Sequence, residues 1–216
     1  MKIAVIGATG TVGKAVVKEA AARGHEVTAF ARGVEKVQQG GNIKAVAFDV
    51  NDAGFAGQLE GLDAVVSAFN PGWDNPNAGA DFAKGAAAIT EAVKVAAVPY
   101  FLAVGGAGSL YIAPDVQLID TPEFPKEIYD GAHAARNWLK DLQDRRDVNW
   151  SFISPPAAFE GDVDTRSGRY RTGKDDVLFT GEELANISAP DLACAIVDAA
   201  ENKAHLFERF TVAEAV

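Results

Sequence analysis

Short apolar runs alternate with amphipathic stretches along the chain. The runs are rich in β-branched and aromatic residues, which is typical of strands buried on both faces of a parallel sheet. Between them, apolar positions recur every three or four residues, which predicts helices. The predicted strands cover residues 2–7, 26–31, 43–50, 62–70, 100–106 and 149–154, and the predicted helices cover 11–23, 53–60, 82–96 and 125–144.

Strands that alternate with helices predict a doubly wound, mainly parallel sheet with right-handed crossovers and helices on both faces. The predicted fold class is therefore α/β, a three-layer Rossmann fold. After the sixth strand, a hairpin, a helix and a last strand near residues 209–214 predict a small C-terminal extension. No repeat or linker interrupts the pattern, so we expect a single domain over residues 1–216.

One uncharged stretch, residues 95–114, is long enough to resemble a membrane span. Pro99, Pro114 and the glycines between them argue against one continuous helix. The better interpretation is a helix end, a strand buried on both faces, and a loop.

The loop after the first predicted strand carries three glycines in the spacing G-x-x-G-x-x-G. Gly7 permits a tight turn, Gly10 lets the backbone approach a pyrophosphate, and Gly13 lets the helix pack against the strand. The start of the following helix offers free N–H groups and a partial positive charge to phosphates. The predicted dinucleotide contacts in this loop come from Gly7, Thr9, Gly10, Thr11, Val12 and Gly13.

The ends of the second and third predicted strands bear on the choice of dinucleotide. NAD-binding loops usually carry Asp or Glu after the second strand to hold the ribose 2′-hydroxyl, whereas this chain reads TAFARG, with Arg32. A planar guanidinium pairs well with a 2′-phosphate, which favours NADP(H) over NAD(H), although Arg32 could also be a solvated loop residue. Asp49 and Val50 are placed to meet the adenine, and Asp49 could instead cap the next helix.

Charge and cysteine content exclude several classes of protein. The chain has 20 Lys and Arg residues against 30 Asp and Glu residues, a net charge of −10. A chain this acidic is poorly suited to nucleic acid or to an anionic membrane, so any anion must meet a local site. The single cysteine, Cys194, allows no internal disulfide and, with no visible signal peptide, predicts a cytoplasmic protein. The sequence shows no Cys/His cluster that would predict a metal site.

Several motifs carry a resemblance to one family. The opening KIAVIGATGTVGKAVVKEAAARGHEVTAFAR resembles the cofactor half of the atypical short-chain dehydrogenase/reductases. The stretches VGGAGSL, LIDTPEFP, SPPAAF, GRYRTGKDDVL and NISAPDLACAIVDAAE resemble the bacterial NADH-flavin reductases, which are similar in turn to mammalian biliverdin reductase B/flavin reductase and to NmrA-like proteins. The resemblance covers nearly the whole chain and implies a single NAD(P)-binding domain with oxidoreductase activity.

The remaining site residues follow from the loop positions and from this resemblance. Related reductases place a polar group near the nicotinamide just after the fifth strand, so Ser109 is expected to bond to substrate or cofactor, with a simple turn role as the alternative. Trp73 would stack on a flat acceptor if exposed and would be packing if buried. Further cofactor contacts are expected from Ala68, Phe69, Asn70, Gly105, Gly106, Pro155 and Pro156, and the expected acceptor pocket comprises Trp73, Tyr111 and Phe159.

The chain lacks the Tyr-x-x-x-Lys pair with which many short-chain dehydrogenases move a proton. Tyr129 is followed four residues later by His133, and Tyr111 by Asp115. Reduction of a flavin such as FMN, or of a quinone, needs a positioned acid less, because the acceptor is already electrophilic. We therefore expect an NAD(P)H-dependent reductase of a small planar acceptor.

Two alternatives stay open. A non-catalytic NADP(H)-binding sensor of the NmrA-like type needs the same cofactor loop and no acid. An epimerase or dehydratase would need a lysine to reach Tyr129 or Tyr111 from elsewhere in the fold. The arginines of RSGRYRTG, residues 166–173, are expected on a hairpin that either rims the pocket or lies in solvent.

Overall fold

Strands and helices alternate through the chain in the computed structural model, which describes residues 1–72, 74–159, 161 and 164–215. Within these residues the strands are β1 (Lys2–Ile6), β2 (Glu26–Ala31), β3 (Ile43–Ala47), β4 (Ala64–Ser67), β5 (Phe101–Val104), β6 (Tyr111–Ala113), β7 (Val116–Gln117), β8 (Trp150–Ser154), β9 (Tyr170–Gly173), β10 (Phe179–Thr180), β11 (Glu183–Leu184) and β12 (Arg209–Glu214). The helices are α1 (Thr11–Ala22), α2 (Phe55–Leu59), α3 (Ala78–Val95), α4 (Tyr129–Gln143) and α5 (Ala189–Asn202).

In the described part of the chain, eight strands form one sheet in the order β3-β2-β1-β4-β5-β8-β12-β9. Neighbours are parallel from β3 through β12, and the edge strand β9 runs antiparallel to β12. The three-layer, doubly wound Rossmann fold is confirmed. The last strand, β12, is a member of this sheet beside β8 and not part of a separate extension, whereas β6–β7 and β10–β11 form two small hairpins.

Helices cover both faces of the sheet. On one face α1 and α5 contribute Val16 and Leu192 to a core that also contains Val5 of β1. On the other face α2, α3 and α4 pack over the strands, with Ile89 and Trp138 in the second core cluster. The central strands are therefore buried on both sides, which is why they read as continuous apolar runs.

Several elements are shorter than the sequence predicts, β3 and α4 among them. The strand β3 ends at Ala47 and not at Val50, because the backbone N–H of Asn51 turns back to donate to the Asp49 carboxylate at 2.9 Å. The helix α4 begins at Tyr129, after a separate 3-10 turn.

The uncharged stretch 95–114 contains the end of α3, the buried strand β5 and a loop, as predicted. Among the residues described, no helix has both the length and the apolar character needed to cross a lipid bilayer.

Parallel strands end at the same side of a sheet. The loops after β1, β2, β3, β4, β5 and β8 therefore lie along one side, which we call the carboxyl edge. The strand order reverses between β1 and β4, and such a switch point leaves a crevice in which ligands of this fold class bind.

Candidate functional site

The first glycine loop is packed tightly between β1, α1 and the loop after β4. Gly7 has a φ of 77°, in the left-handed region that favours glycine. A Cβ atom on Gly7 would overlap the backbone carbonyl of Ala68, and one on Gly13 would overlap the carbonyl of Gly7. The close backbone packing therefore requires glycine at both positions, for the reasons that the spacing predicts.

The start of α1 faces open space. Gly10, the N-cap residue, is exposed and lacks a side chain, and the first turn, TVGK, brings one positive charge. The first intrahelical bond runs from the Lys14 N–H to the Gly10 carbonyl at 2.9 Å. The N–H groups of Thr11, Val12 and Gly13 precede that bond, so they have no intrahelical acceptor. Free N–H donors at the positive end of a helix dipole suit a phosphate.

Arg32 and Asp49 lie at the ends of the neighbouring strands β2 and β3. Arg32 directly follows β2 and is exposed. Two 2.9 Å hydrogen bonds from the backbone and side-chain amides of Asn51, helped by the charge of Arg32, hold the pKa of Asp49 below its ordinary value. Asp49 thus forms a turn of its own and does not cap α2, whose N-cap is Gly54. Val50 is buried in the core beneath α2.

The loop after β4 lies directly beside the first glycine loop. The carbonyl of Ala68 faces Gly7, and the ring of Phe69 lies where a Cβ atom of Gly85 in α3 would stand. Asn70 is exposed, and its side-chain oxygen accepts a hydrogen bond of 2.8 Å from the following turn. Ala68 and Phe69 therefore adjoin the first glycine loop, and Asn70 follows them at the carboxyl edge. The expected contacts of these three residues with a cofactor stay a prediction.

The second glycine loop lies where β5 and β8 end. A Cβ atom on Gly105 would overlap the ring of Phe152, so this glycine is required by packing against β8. Gly106 has no atom within 4 Å of the place where a Cβ would stand. Pro155 and Pro156 follow β8 and are buried. The open backbone of Gly106 is the part of this loop that a ligand could approach closely.

Ser109 is turned into the protein. It is 3% exposed, and its hydroxyl and carbonyl oxygens accept hydrogen bonds of 3.2 and 3.0 Å from Nη1 of Arg209. The side chain of Gln117 donates a further bond of 3.0 Å to the same carbonyl. This placement differs from the accessible position that a substrate contact needs. It gives Ser109 the role of anchoring the loop, and its expected contact with substrate or cofactor stays a prediction.

The residues expected to line the acceptor pocket are dispersed. Tyr111 begins β6 and lines a cavity of about 250 Å³ between α4 and the β6–β7 hairpin. Phe159 packs against the core between α1 and α5, beside Gly161, which faces Thr11. Trp73 lies outside the described residues. The expectation that Tyr111 and Phe159 share one pocket is therefore wrong, because they lie on opposite faces of the sheet.

A lysine does come near a tyrosine in this fold. Lys140 of α4 lines the same cavity as Tyr111. The described residues of the two glycine loops are not among those that line the cavity. Tyr111 and Lys140 therefore lie next to the second glycine loop, through the bonds of Arg209 and Gln117 to Ser109, but none of the described glycines of that loop lines their cavity.

An aromatic cluster that the sequence pattern did not assign lies at the start of α4. The ring of Phe124 comes within 3.5 Å of the Cβ position of Gly108, in the second glycine loop. Phe124 meets Tyr129 edge to face at 6.3 Å between ring centroids, and Tyr129 stacks on His133 at 5.9 Å and 21°. Tyr129 is 39% exposed. Because α4 starts from the carboxyl edge, this cluster lies beside the second glycine loop.

Two of the three arginines of RSGRYRTG, Arg166 and Arg171, are engaged elsewhere. Arg166 donates two hydrogen bonds of 2.8 Å to the carboxylate of Glu19 in α1, which also accepts one of 2.8 Å from Arg23. Arg171 donates to the backbone carbonyls of Glu214 and Phe179. Of the two alternatives for this segment, a hairpin that rims the pocket does not hold, because the segment leads into β9, which pairs with β12 at the edge of the sheet.

Two candidate groups escaped the sequence reasoning. The carboxylate of Glu35 lies 2.9 Å from the Cβ position of Gly33, just after Arg32. It stands too far beyond β2 to fit the usual NAD pattern. The contact of Phe124 with Gly108 could not be predicted, because no spacing in the sequence relates these two residues. The four-residue spacing of Tyr129 and His133 does predict that their side chains lie on the same face of one helix.

Comparison with known proteins agrees with this geometry. A family model described as NAD(P)H-binding matches residues 7–203. The uncharacterized protein YwnB of Bacillus subtilis (strain 168) is 41% identical over 98% of both chains.

Two solved structures are similar over nearly their full length. A "putative NADH-flavin reductase" from Streptococcus pneumoniae TIGR4 is 35% identical, with a TM-score of 0.88 and 100% of each chain covered. A "putative epimerase" from Bacteroides thetaiotaomicron is 38% identical, with a TM-score of 0.90, covering 100% of this chain and 97% of that one. From the family match and the site geometry together, we conclude that the chain belongs to the NAD(P)H-binding family.

Proposed function

We propose that this protein is an NADPH-dependent reductase of flavins, quinones or similar planar acceptors. The observation that carries the proposal is the aromatic cluster of Phe124, Tyr129 and His133, which adjoins the second of two glycine loops at one sheet edge. The Streptococcus pneumoniae structure described as a "putative NADH-flavin reductase" supports the same activity class.

The chain's own residues provide for both ends of the cofactor. The open start of α1 binds the pyrophosphate, and exposed Arg32 pairs with the 2′-phosphate through its planar fork. The bare backbone at Gly106 admits the nicotinamide ribose, and buried Pro155 closes the wall at the end of β8. When bound, the nicotinamide supplies the hydride. The rigid ends of the strands hold the nicotinamide and the acceptor at a fixed distance and orientation, which hydride transfer requires of the protein.

The acceptor is held by stacking. Tyr129 presents an exposed ring whose orientation is fixed on two sides, by Phe124 edge on and by His133 face on. A planar flavin or quinone that lies against such a ring gains offset stacking without any side-chain reorganisation. The protein then needs no buried acid, because water at this open edge can supply the proton.

The same observations weigh against the alternatives. A sensor that only binds NADP(H) has no use for a preformed stacking surface beside the nicotinamide end. An epimerase, the activity named for the Bacteroides thetaiotaomicron structure, needs a tyrosine and a lysine against the cofactor. Lys140 shares a cavity with Tyr111, and no described glycine of either loop lines that cavity, although its Arg209 and Gln117 bond to Ser109 of the second loop.

Coenzyme choice tests the role of Arg32. In Arg32→Ala, a charge-assisted phosphate contact worth about 2 kcal/mol is lost, so the KM for NADPH rises roughly thirtyfold while that for NADH stays within about twofold. Steady-state oxidation of each coenzyme with FMN as acceptor measures this. Glu35→Gln is the matched control and leaves NADPH turnover unchanged. If Arg32→Ala leaves the NADPH KM unchanged and Glu35→Gln raises that for NADH, the protein uses NAD(H).

Acceptor binding tests the role of Tyr129. Replacing the ring by an aliphatic side chain in Tyr129→Leu removes about 1 kcal/mol of stacking, so the KM for FMN rises roughly fivefold. The KM for NADPH does not change. Phe179→Leu, which alters an equally exposed aromatic residue on β10, serves as control and leaves both KM values alone. Equal effects of the two substitutions on FMN would remove Tyr129 from the acceptor site.

A further inference from the structure

The cavity that contains Tyr111 is a second polar site, distinct from the cofactor crevice. One wall is a single face of α4, formed by Arg136, Leu139, Lys140 and Gln143 at helical spacing. The opposite wall is formed by Tyr111, Gln117 and Asp175, and Arg209 completes the lining. In the described part of the chain these eight residues define the cavity, and the loops after β1 to β4 do not contribute.

The size of the cavity limits what it can hold. A volume of about 250 Å³ lies just below the range of about 300–1,000 Å³ typical of pockets for larger ligands. A whole dinucleotide is too large to be enclosed by it, so we expect a ligand of this cavity to be smaller than the cofactor.

The wall on α4 offers positive charge with unused donors. Nη1 of Arg136 is fixed by the Asp120 carboxylate at 2.8 and 2.9 Å and by the side-chain oxygen of Gln117 at 3.3 Å. Nε of Arg136 is buried without a hydrogen-bond partner among the described residues, so a ligand in the cavity cannot reach it. Nη2 makes no recorded hydrogen bond there and is the guanidinium donor left for a ligand. One turn further on, exposed Lys140 has no ion-pair partner within the described part of the chain. A guanidinium and an ammonium on one helix face suit a carboxylate.

The opposite wall offers an acceptor. Arg209, whose side chain is only 3% exposed, contacts Oδ1 of Asp175 at 2.7 Å. Oδ2 of Asp175 makes no recorded hydrogen bond with the described residues, and this side chain is 55% exposed. Its free oxygen can accept a bond from a hydroxyl or an amino group. The same charge disfavours a dianionic phosphate more than a monocarboxylate.

We propose that this cavity binds a small carboxylate that also carries a hydroxyl or amino group. The carboxylate pairs with Arg136 and Lys140, and the hydroxyl or amino group donates to Asp175. Such a site is local by necessity, because a chain with a net charge of −10 does not attract anions through its overall field.

Calorimetric titration of the full chain with lactate, propionate and inorganic phosphate tests the proposal. We expect lactate to bind more tightly than propionate, which lacks the hydroxyl, and more tightly than phosphate. Arg136→Gln weakens lactate binding about tenfold, and Lys140→Gln weakens it about threefold. Lys44→Gln, at the far edge of the sheet, leaves it unchanged.

Several results would overturn the proposal. Lactate could fail to bind in the millimolar range, propionate could bind as tightly as lactate, or phosphate could bind more tightly than lactate. The affinity for lactate could also be unchanged in Lys140→Gln. If Arg136→Gln fails to fold, Lys140→Gln decides, because that side chain is exposed and unpaired in the described structure. Displacement of lactate by FMN would show that this cavity is part of the acceptor site, which would overturn the proposal of a separate site. None of these outcomes depends on whether the protein oxidises NADPH.

Discussion

Ser109 and Arg209 show how a single buried contact fixes a loop at the carboxyl edge. The guanidinium of Arg209 is almost fully buried and bonds both oxygens of Ser109 while it also contacts the Asp175 carboxylate. A buried charge is tolerated only when its donors are satisfied, so this arrangement holds the loop and the guanidinium together.

The Ser109→Ala substitution separates this anchoring role from a catalytic one. We expect it to lower the free energy of unfolding by about 1 to 2 kcal/mol, because one hydrogen bond to a buried charge is lost. Urea denaturation measures that change. The kcat for NADPH oxidation with FMN stays within about twofold, since the hydroxyl is not exposed to the crevice. A large fall in kcat with unchanged stability would instead restore the substrate contact expected from the sequence.

For single residues, local spacing in the sequence predicts the roles that depend on residues nearby in the chain. The roles of Gly7 and Gly13 follow from the turn and the helix start that flank them. The need for glycine at position 105 comes from the ring of Phe152, and the partner of Ser109 is Arg209, both far along the chain. Contacts across such sequence separations leave no periodic signal, so the packing role of Gly105 is not predictable from the sequence, and its contact with a cofactor stays a prediction.

Among the elements, α1 and α5 are joined by a charged network. Glu19 of α1 accepts hydrogen bonds from Arg166 and Arg23, and Arg23 donates to Asp198 of α5 at 2.6 Å. Tyr170 of β9 donates to the same Asp198 at 2.6 Å. One side of the sheet is thereby held together by ion pairs as well as by apolar packing.

This network makes stability depend on pH. The bonds from Arg166, aided by Arg23, lower the pKa of Glu19 from 4.5 to about 2. A folded-state pKa below the unfolded value gives stability that is complete above pH 4.5 and is lost as the pH falls toward 2. With allowance for solvent screening at exposed Arg166, we expect about 2 kcal/mol to be lost.

Urea denaturation between neutral pH and pH 3 measures this loss, and Glu19→Gln provides the comparison. The variant is less stable than the wild type at neutral pH, and the difference between them shrinks as the pH falls. A difference that stays constant with pH would show that the Glu19 ion pairs contribute no net stability.

The prediction of elements succeeds where apolar periodicity is strong. The strands β2 and β12 agree with the sequence pattern, because burial on both faces leaves a continuous apolar run. The start of α1 also agrees with the pattern. The sequence predicts β9 as part of a hairpin, because its YRTG sequence is polar. In the structure β9 pairs with β12 at the edge of the sheet. The turn chemistry of Asp49 likewise ended β3 early, which no count of apolar residues detects.

At the scale of the whole molecule, the parallel sheet brings loops from distant segments of the chain together at one edge. The loops after β1 and β5 come from widely separated parts of the chain and meet there only because their strands run in the same direction. Topology of this kind follows from the alternation of strands and helices, so the sequence predicts a crevice at this edge, where we propose that the cofactor binds. The place of the aromatic cluster of Phe124, Tyr129 and His133 is not predictable in this way, because it depends on how α4 packs against the loop at Gly108.

We propose that NADPH bound in this crevice reduces a planar acceptor. The most direct measurement is a single-turnover mixing experiment, with excess purified protein, FMN and one equivalent of NADPH, in which NADPH binding and flavin bleaching are followed together. The account predicts that FMN is reduced as NADPH is consumed, and more slowly with NADH. Tight binding of NADPH with FMN and a simple quinone both left oxidised would contradict it and would identify the protein as a sensor.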